Sequence, residues 1–422
     1  MASIAWKPME ALAANVRPHH EYLGDHPATM SIPHQSPPDV TIDDVVSLTQ
    51  ALVQIDSSTP GSGSNTAGET TIATYIAAWL QHRGIEYHWI EETPGRPSIV
   101  AVVRGSGGGK ALMFNCHTDT VTLQGYDGDP LSGRIADRRL YGRGSADMKS
   151  GLAAAMTAIA SAKNLHLRGD VILAAVADEE CDSIGTEQVL AAGWRADAAV
   201  IAEPTEFAII NAHKGYVLFE VDVHGIAAHG SRPDLGVDAI CKAGYFLVEL
   251  DRYAQSLQQR SPSGAKTDAP NVHAGVIRGG AEINSYPAKC TISIERRTIA
   301  SETPDSVRKE LLAILETVAS TVPDFNFELR MTSYRPPYFI APDHAFVKLV
   351  VDHAVKTTGT APPIRSETYW TDMALLSEAG IPGVIWGPKG RGLHSKDESV
   401  EIESIRQLTD AFVAIVETFC QG

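Results

Sequence analysis

The chain has 422 residues, 44% hydrophobic and 20% charged, with a formal net charge of −16 at pH 7. That is globular material long enough for two cored domains, and its charge repels a phosphate backbone with no basic stripe to reverse the sign locally, which excludes nucleic acid as a partner. Five cysteines without C-x-x-C spacing argue against a disulfide framework, and the lack of a signal-peptide pattern or of an apolar run of membrane-spanning length predicts a soluble, cytoplasmic protein with no membrane partner.

Residues 1–40 read as a Pro-rich extension lying on the surface. From residue 41, TIDDVVSLTQALVQI repeats apolar residues at helical spacing behind a Thr/Asp start, and ETTIATYIAAWLQHRG does the same and ends at Gly84. SIVAVVRG and KALMFNC follow as strands. The GSGGG between them is a turn, too bare for a phosphate loop because no G-K-[ST] follows. SGLAAAMTAIASAKNL reads as a buried helix, then DVILAAVA and ADAAVIA as strands separated by another helical stretch. This alternation over 41–213 predicts an α/β domain whose mainly parallel sheet is flanked by helices.

Over 214–331 the order becomes strand, long helix, two strands, helix, strand, from YVLFEVDVHG to FNFELRMTS. That is a split βαβ, α+β arrangement, expected as a self-contained insert. The α/β pattern resumes over 332–422 with AFVKLVVDHAVKTTG, a helix from about Thr371, and the strand GVIWG.

Several apolar runs end in cation-binding groups. ALMFNC ends at His117 and Asp119, VILAAVA at Asp178-Glu179-Glu180 and AAVIA at Glu203, while GVIWG leads through PKGRGL to His394. In an open parallel sheet these ends share one edge, where such folds bind ligands. Asp147, just before the Ala-rich helix, can face the same edge. Singly, each residue reads more readily as a cap or a solvated charge. Together, imidazoles and carboxylates from separate segments, without a ligating cysteine at the same ends, suit zinc, cobalt or manganese. Cys116 and Cys181 read as small buried thiols, and Thr371 and Asp372 as caps of the following helix.

HTDTV, GRGSADMKSG, ADEE, AEPTE, GIAAHGSRPDLGVDAI and GLHSKDE, in this order and spacing, resemble the acetylornithine deacetylase, succinyl-diaminopimelate desuccinylase and aminoacylase family of two-metal hydrolases. The resemblance spans almost everything after the extension. It implies a zinc-exopeptidase-like catalytic domain with the insert as lid and dimerisation domain, and two divalent ions, Zn2+ ahead of Co2+ or Mn2+. His117 and Glu203 would bind one ion, Glu180 and His394 the other, and Asp147 would bridge them, followed by a cis peptide. Asp119 would hydrogen-bond His117 from behind and fix its tautomer. Glu179 would be the general base for a water shared by the ions. The resemblance further implies a homodimer in which His229 reaches from one lid into the partner's active site to stabilise the oxyanion, with Asn284 and Arg297 contacting substrate. Relatives continue from that arginine into a Pro-Gly turn where this chain has TIASET, which leaves Arg296 open beside Arg297.

The reaction implied is hydrolysis of the amide in a small N-acyl amino acid or related compound. Glu203 favours it, since dipeptidases and aminotripeptidases of the wider group often place Asp there and carbamoyl-amide hydrolases His. One alternative is a metallo-exopeptidase acting on dipeptides or short peptides. Another is a non-catalytic dimeric binding protein, disfavoured because no ligand and no base is missing. The acyl group and the amine depend on the shape of the cleft, whose walls MTSYRPPYF and RSETYW would help to form.

Overall fold

The computed structural model describes residues 39–60, 66–261 and 268–422, so the expected extension lies outside the described residues except for Asp39 and Val40. Strands Leu112–His117, Val171–Val176, Ala198–Ile201 and Gly383–Ile385 are buried along their whole length, as strands covered on both faces must be. They lie side by side and parallel, in the order 171–176, 112–117, 198–201, 383–385.

The sheet they belong to, nine-stranded among the described residues, is mixed where a mainly parallel one was expected. Glu86–Ile90 and Ser98–Val103 add antiparallel at one side. At the other side Ile209–His213, a strand not anticipated from the sequence, pairs antiparallel with Gly383–Ile385 and Tyr338–Phe339 and parallel with Ile364–Glu367. A short turn can only join antiparallel neighbours, as between Ile90 and Ser98, whereas the central parallel pairs need helical crossovers such as Ser150–Ala162.

That helix is Ala-rich, and its small side chains let the amphipathic C-terminal helix Ile402–Gln421 pack closely against it. Its start is fixed by a close approach: a Cβ on Gly151 would lie 2.1 Å from the carbonyl oxygen of Ala202. Only glycine fits there, so the segment carrying Asp147 is pressed against the strand end that carries Glu203. Asp44 caps the first helix, Val45–Val53, accepting the Ser47 N–H at 2.9 Å, as its Thr/Asp start predicted. No helix among the described residues is long and apolar enough to cross a membrane.

Strands Gly215–His224, Asn271–Gly279, Lys289–Thr298 and Asn326–Arg335 form a separate antiparallel sheet, with Asn271–Gly279 and Asn326–Arg335 at its edges. Alternation in the first strand turns Val217, Phe219, Val221 and Val223 toward helices Ala239–Leu257 and Pro304–Thr321, enclosing a second core. The last strand runs to Arg335, past residue 331 where the insert was expected to end. The chain crosses between the sheets at Lys214–Gly215 and at Pro336–Pro337. The two passes touch: a Cβ on Gly215 would lie 2.4 Å from both the Arg335 carbonyl oxygen and the Pro337 nitrogen.

Candidate metal centre

The parallel strands bring their C-terminal ends to one edge of the sheet, and the cation-binding side chains meet there. A cavity of about 290 Å³ is lined by Asp147, Glu179, Glu180, Glu203 and His394, with Tyr369, Trp370 and Leu393 as an apolar wall. His117 Nε2 lies 3.1 Å from Asp147 Oδ1 and 3.3 Å from Glu203 Oε1. His394 Nε2 lies 3.2 Å from Asp147 Oδ2 and 3.1 Å from Glu180 Oε1. Asp147 thus offers one oxygen to each imidazole. Donor atoms of His117, Asp147 and Glu180, and of His117, Glu179 and Glu203, form two overlapping groups within 4.8 Å. The peptide bond from Asp147 to Met148 is cis.

Asp119 holds its neighbours differently from expectation. His117 Nδ1 is 2.9 Å from the backbone carbonyl oxygen of Asp119 and 3.6 Å from its carboxylate. A carbonyl can only accept, so Nδ1 carries the proton and the Nε2 of the neutral ring is left to ligate. The Asp119 carboxylate instead accepts the backbone N–H groups of Glu179 and Glu180, both at 3.1 Å, and so aligns that pair.

Burial raises the carboxyl pKa of Glu179 well above its ordinary value, and burial with the nearby Asp147 charge raises Glu203 to about 8. Glu180 is raised by the same two causes. His394 is pushed up to about 10 by its hydrogen bonds to Asp147 and Glu180. Burial disfavours the His117 cation, but Glu203, Asp119 and Asp147 together outweigh it and raise that group too. Burial would raise Asp147 as well, yet the two histidines hold it far below the carboxylate range. The cluster sets the carboxyl groups of Asp147, Glu179, Glu180 and Glu203 against two imidazoles, and burial and crowding drive the three glutamates toward their neutral forms when no cation is bound. Divalent cations would favour the ionised carboxylates and suit the mixed nitrogen and oxygen donors.

On the insert, His229 and Asn284 come together, with the Gly230 N–H donating to the Asn284 carbonyl at 2.7 Å and His229 paired with Ser285. Both side chains are exposed, and neither they nor Arg297 line the cavity. Arg297 stacks on Tyr216, 5.2 Å from the ring centroid, and pairs with Glu295 at 2.8 Å. Arg296 is fully buried and bonds Glu302 and the Tyr253 hydroxyl. Of the two, Arg297 is the accessible one.

Three further groups around the centre, Glu398 and Asp372 buried and Arg96 partly so, escaped the sequence reading. Arg96 forks onto Glu69 with two bonds of 2.7 Å, and also bonds Thr59 Oγ1 at 2.9 Å and Asp178, which precedes the Glu pair. Glu398 accepts four donors of the segment ending at Asp147. Asp372 stands at a helix start without capping it; its carboxylate accepts Thr186 Oγ1 at 2.6 Å, which corrects the cap reading. Its neighbour Thr371 does accept the Met373 N–H, at 3.3 Å. Cys116 is buried as expected, whereas Cys181 is exposed, because the turn after Glu180 carries it outward.

The sequence pattern of peptidase family M20/M25/M40 matches residues 113–418. An acetylornithine deacetylase of Myxococcus xanthus is 31% identical over 329 residues, 77% of this chain and 84% of that relative. A Staphylococcus aureus tripeptidase has the same fold with a TM-score of 0.73 at 20% identity, covering 92% of this chain and all of that one. A Bacillus subtilis protein described as a dinuclear metal-binding peptidase gives a TM-score of 0.69 at 17% identity, covering 90% of this chain and 98% of its own. The fold, the order of its site residues and these matches converge: the chain belongs to peptidase family M20/M25/M40.

Proposed function

We propose that this M20-family hydrolase is a metal-dependent deacylase, cleaving the amide of a small N-acyl amino acid or related compound with two divalent ions, Zn2+ ahead of Co2+ or Mn2+. The observation that carries the reading is Asp147, with one oxygen toward His117 and the other toward His394. Beside it stands Glu179, whose carboxylate accepts no hydrogen bond from the described residues and so is left for chemistry. His117 and Glu203 would hold one ion, Glu180 and His394 the second, and Asp147 both. Bound there, such ions acidify water and polarise a carbonyl oxygen. Glu179 takes the proton of the water that adds to the amide carbon and returns it to the departing nitrogen. Tyr369, Trp370 and Leu393 seat the apolar part of the substrate.

A homodimer through the insert belongs to the same proposal. Helix Ala239–Leu257 leaves Ile240, Tyr245 and Val248 exposed, and the neighbouring edge strand Asn271–Gly279 leaves Val276 and Ile277 exposed. An unpaired edge beside an apolar face is a surface that pairs with its own copy. The partner's His229 would then donate to the tetrahedral oxygen; Asn284 and Arg297 would hold the substrate, the arginine gripping a carboxylate. The unpaired thiols suit a reducing cytoplasm.

Deacylation is favoured over exopeptidase action by Glu203 and by the curated relative named an acetylornithine deacetylase. The decisive measurement is turnover of N-acetyl amino acids against free di- and tripeptides by enzyme loaded in turn with Zn2+, Co2+ and Mn2+. Faster cleavage of the peptides would overturn the deacylase reading, and metal uptake without hydrolysis of either class would make the protein a binding protein.

A further inference from the structure

Glu398 follows His394 on the same loop, is 1% exposed, and directs its whole side chain at a different segment. Oε1 accepts the backbone N–H groups of Ala146 and Asp147, each at 3.0 Å. Oε2 accepts the Gly144 N–H at 3.0 Å and Arg143 Nη1 at 2.9 Å. Its backbone carbonyl accepts the Gly142 N–H at 3.3 Å and the Tyr126 hydroxyl at 2.9 Å. Just beyond it, Ser399–Glu401 pairs antiparallel with Arg139–Tyr141, so two strands already run alongside one another when they reach this carboxylate.

Such an arrangement is a nest of N–H groups closed around an anion supplied by the protein itself. A carboxylate with an acceptor for every one of these donors dictates the path of the Gly144–Asp147 backbone. The other end of the same loop carries His394. The two candidate ligands that complete the second cation site, Asp147 and His394, thus belong to segments joined through one side chain. We infer that Glu398 is a positioning residue that fixes Asp147 against His394, so that the second cation site is shaped before any ion arrives. The inference rests on the two-ion reading above.

The amide of glutamine has one acceptor oxygen and presents an NH2 group to the remaining donors, so Glu398→Gln is close in size but cannot satisfy the nest. Arg143→Gln removes the same ion pair and leaves the three backbone bonds. Metal-depleted wild type, Glu398→Gln and Arg143→Gln are titrated with Zn2+ by calorimetry, bound metal is counted by mass spectrometry, and the metal-free forms are melted. The expected result is that wild type and Arg143→Gln take up two ions, whereas Glu398→Gln holds its second ion about 10–100-fold more weakly, the range typical of groups that orient metal ligands. Two ions at wild-type affinity in Glu398→Gln would overturn the inference, as would equal losses in the two variants, which would reduce Glu398 to an ion-pair partner. Should Glu398→Gln not fold, amide hydrogen exchange of metal-free wild type decides instead. Slow exchange at Gly144, Ala146 and Asp147 supports a preformed nest, and protection that arises only on adding Zn2+ overturns it. A wild type that binds no ion at all would sink the two-ion reading itself, a separate outcome.

Discussion

The carboxylate of Asp119 accepts the backbone N–H of Glu179 at 3.1 Å, and its other oxygen does the same for the next residue. One buried acid thereby sets the direction of the proposed base and of a proposed ligand together. Asp119→Asn keeps the volume but offers an acceptor to only one of these N–H groups. Its Zn2+ affinity is expected to fall about 10–100-fold, with a matching loss of kcat/KM at limiting metal. Calorimetry and steady-state rates check it, and wild-type values in both would remove Asp119 from the mechanism.

Glu179→Gln is expected to fold and to bind metal as wild type does, while kcat falls by about 10²–10⁴, the range for loss of a general acid–base group. Metal counts and initial rates on the best N-acyl substrate test this together. A rate within a few-fold of wild type would assign the proton transfers elsewhere.

Arg96→Ala leaves Glu69 and Asp178 buried without their cation. Breaking such a pair from one side costs about 3–5 kcal/mol. Urea unfolding of the metal-free protein should show that loss, with Arg96→Lys recovering only part of it because an ammonium cannot fork onto Glu69. Full recovery by lysine would mean that charge alone matters there.

Asp222 predicts the acid response of the insert. Burial acts to raise its pKa, but hydrogen bonds from Thr291, Arg330 and Lys289 more than reverse this and hold it at about 2, against about 3.9 for an unfolded chain. The folded value is the lower one, so the stabilisation is complete above about pH 4 and is lost as pH falls toward 2. With Arg330 and Lys289 partly exposed and screened by solvent, the effect is on the order of 1 kcal/mol. Melting temperatures between pH 5 and pH 2 should fall more steeply for wild type than for Asp222→Asn; parallel curves would refute the assignment.

What could be read from the sequence was whatever depends on one segment at a time. Fully buried strands are continuous apolar runs, and a run must stop where a polar group begins, so His117, Glu179, Glu180 and Glu203 announced themselves at the ends of their own strands. Asp147 and His394 were legible through their motifs. Glu398 was invisible as a functional group, because its role lies in hydrogen bonds to a segment distant in the chain. Arg96, in a Gly- and Pro-flanked stretch, looks like any surface loop arginine until folding buries Glu69 and Asp178 around it. Asp372 misled in the opposite way: an acid before a helix usually caps it, but Thr186 supplies a tertiary partner that wins. The strand Ile209–His213 went unanticipated because it is short and directly abuts the alternating strand that follows Lys214.

The crossing at Gly215 has an evolutionary corollary. Because the polypeptide departs from the central sheet and rejoins it at a single point, the 215–335 block behaves as a cassette plugged into one socket. Its sequence can drift without disturbing the register of the central strands that carry the candidate ion-binding acids, none of which lies within the block. The two parts of the chain can therefore diverge on separate schedules, so long as the socket itself keeps a residue with no side chain.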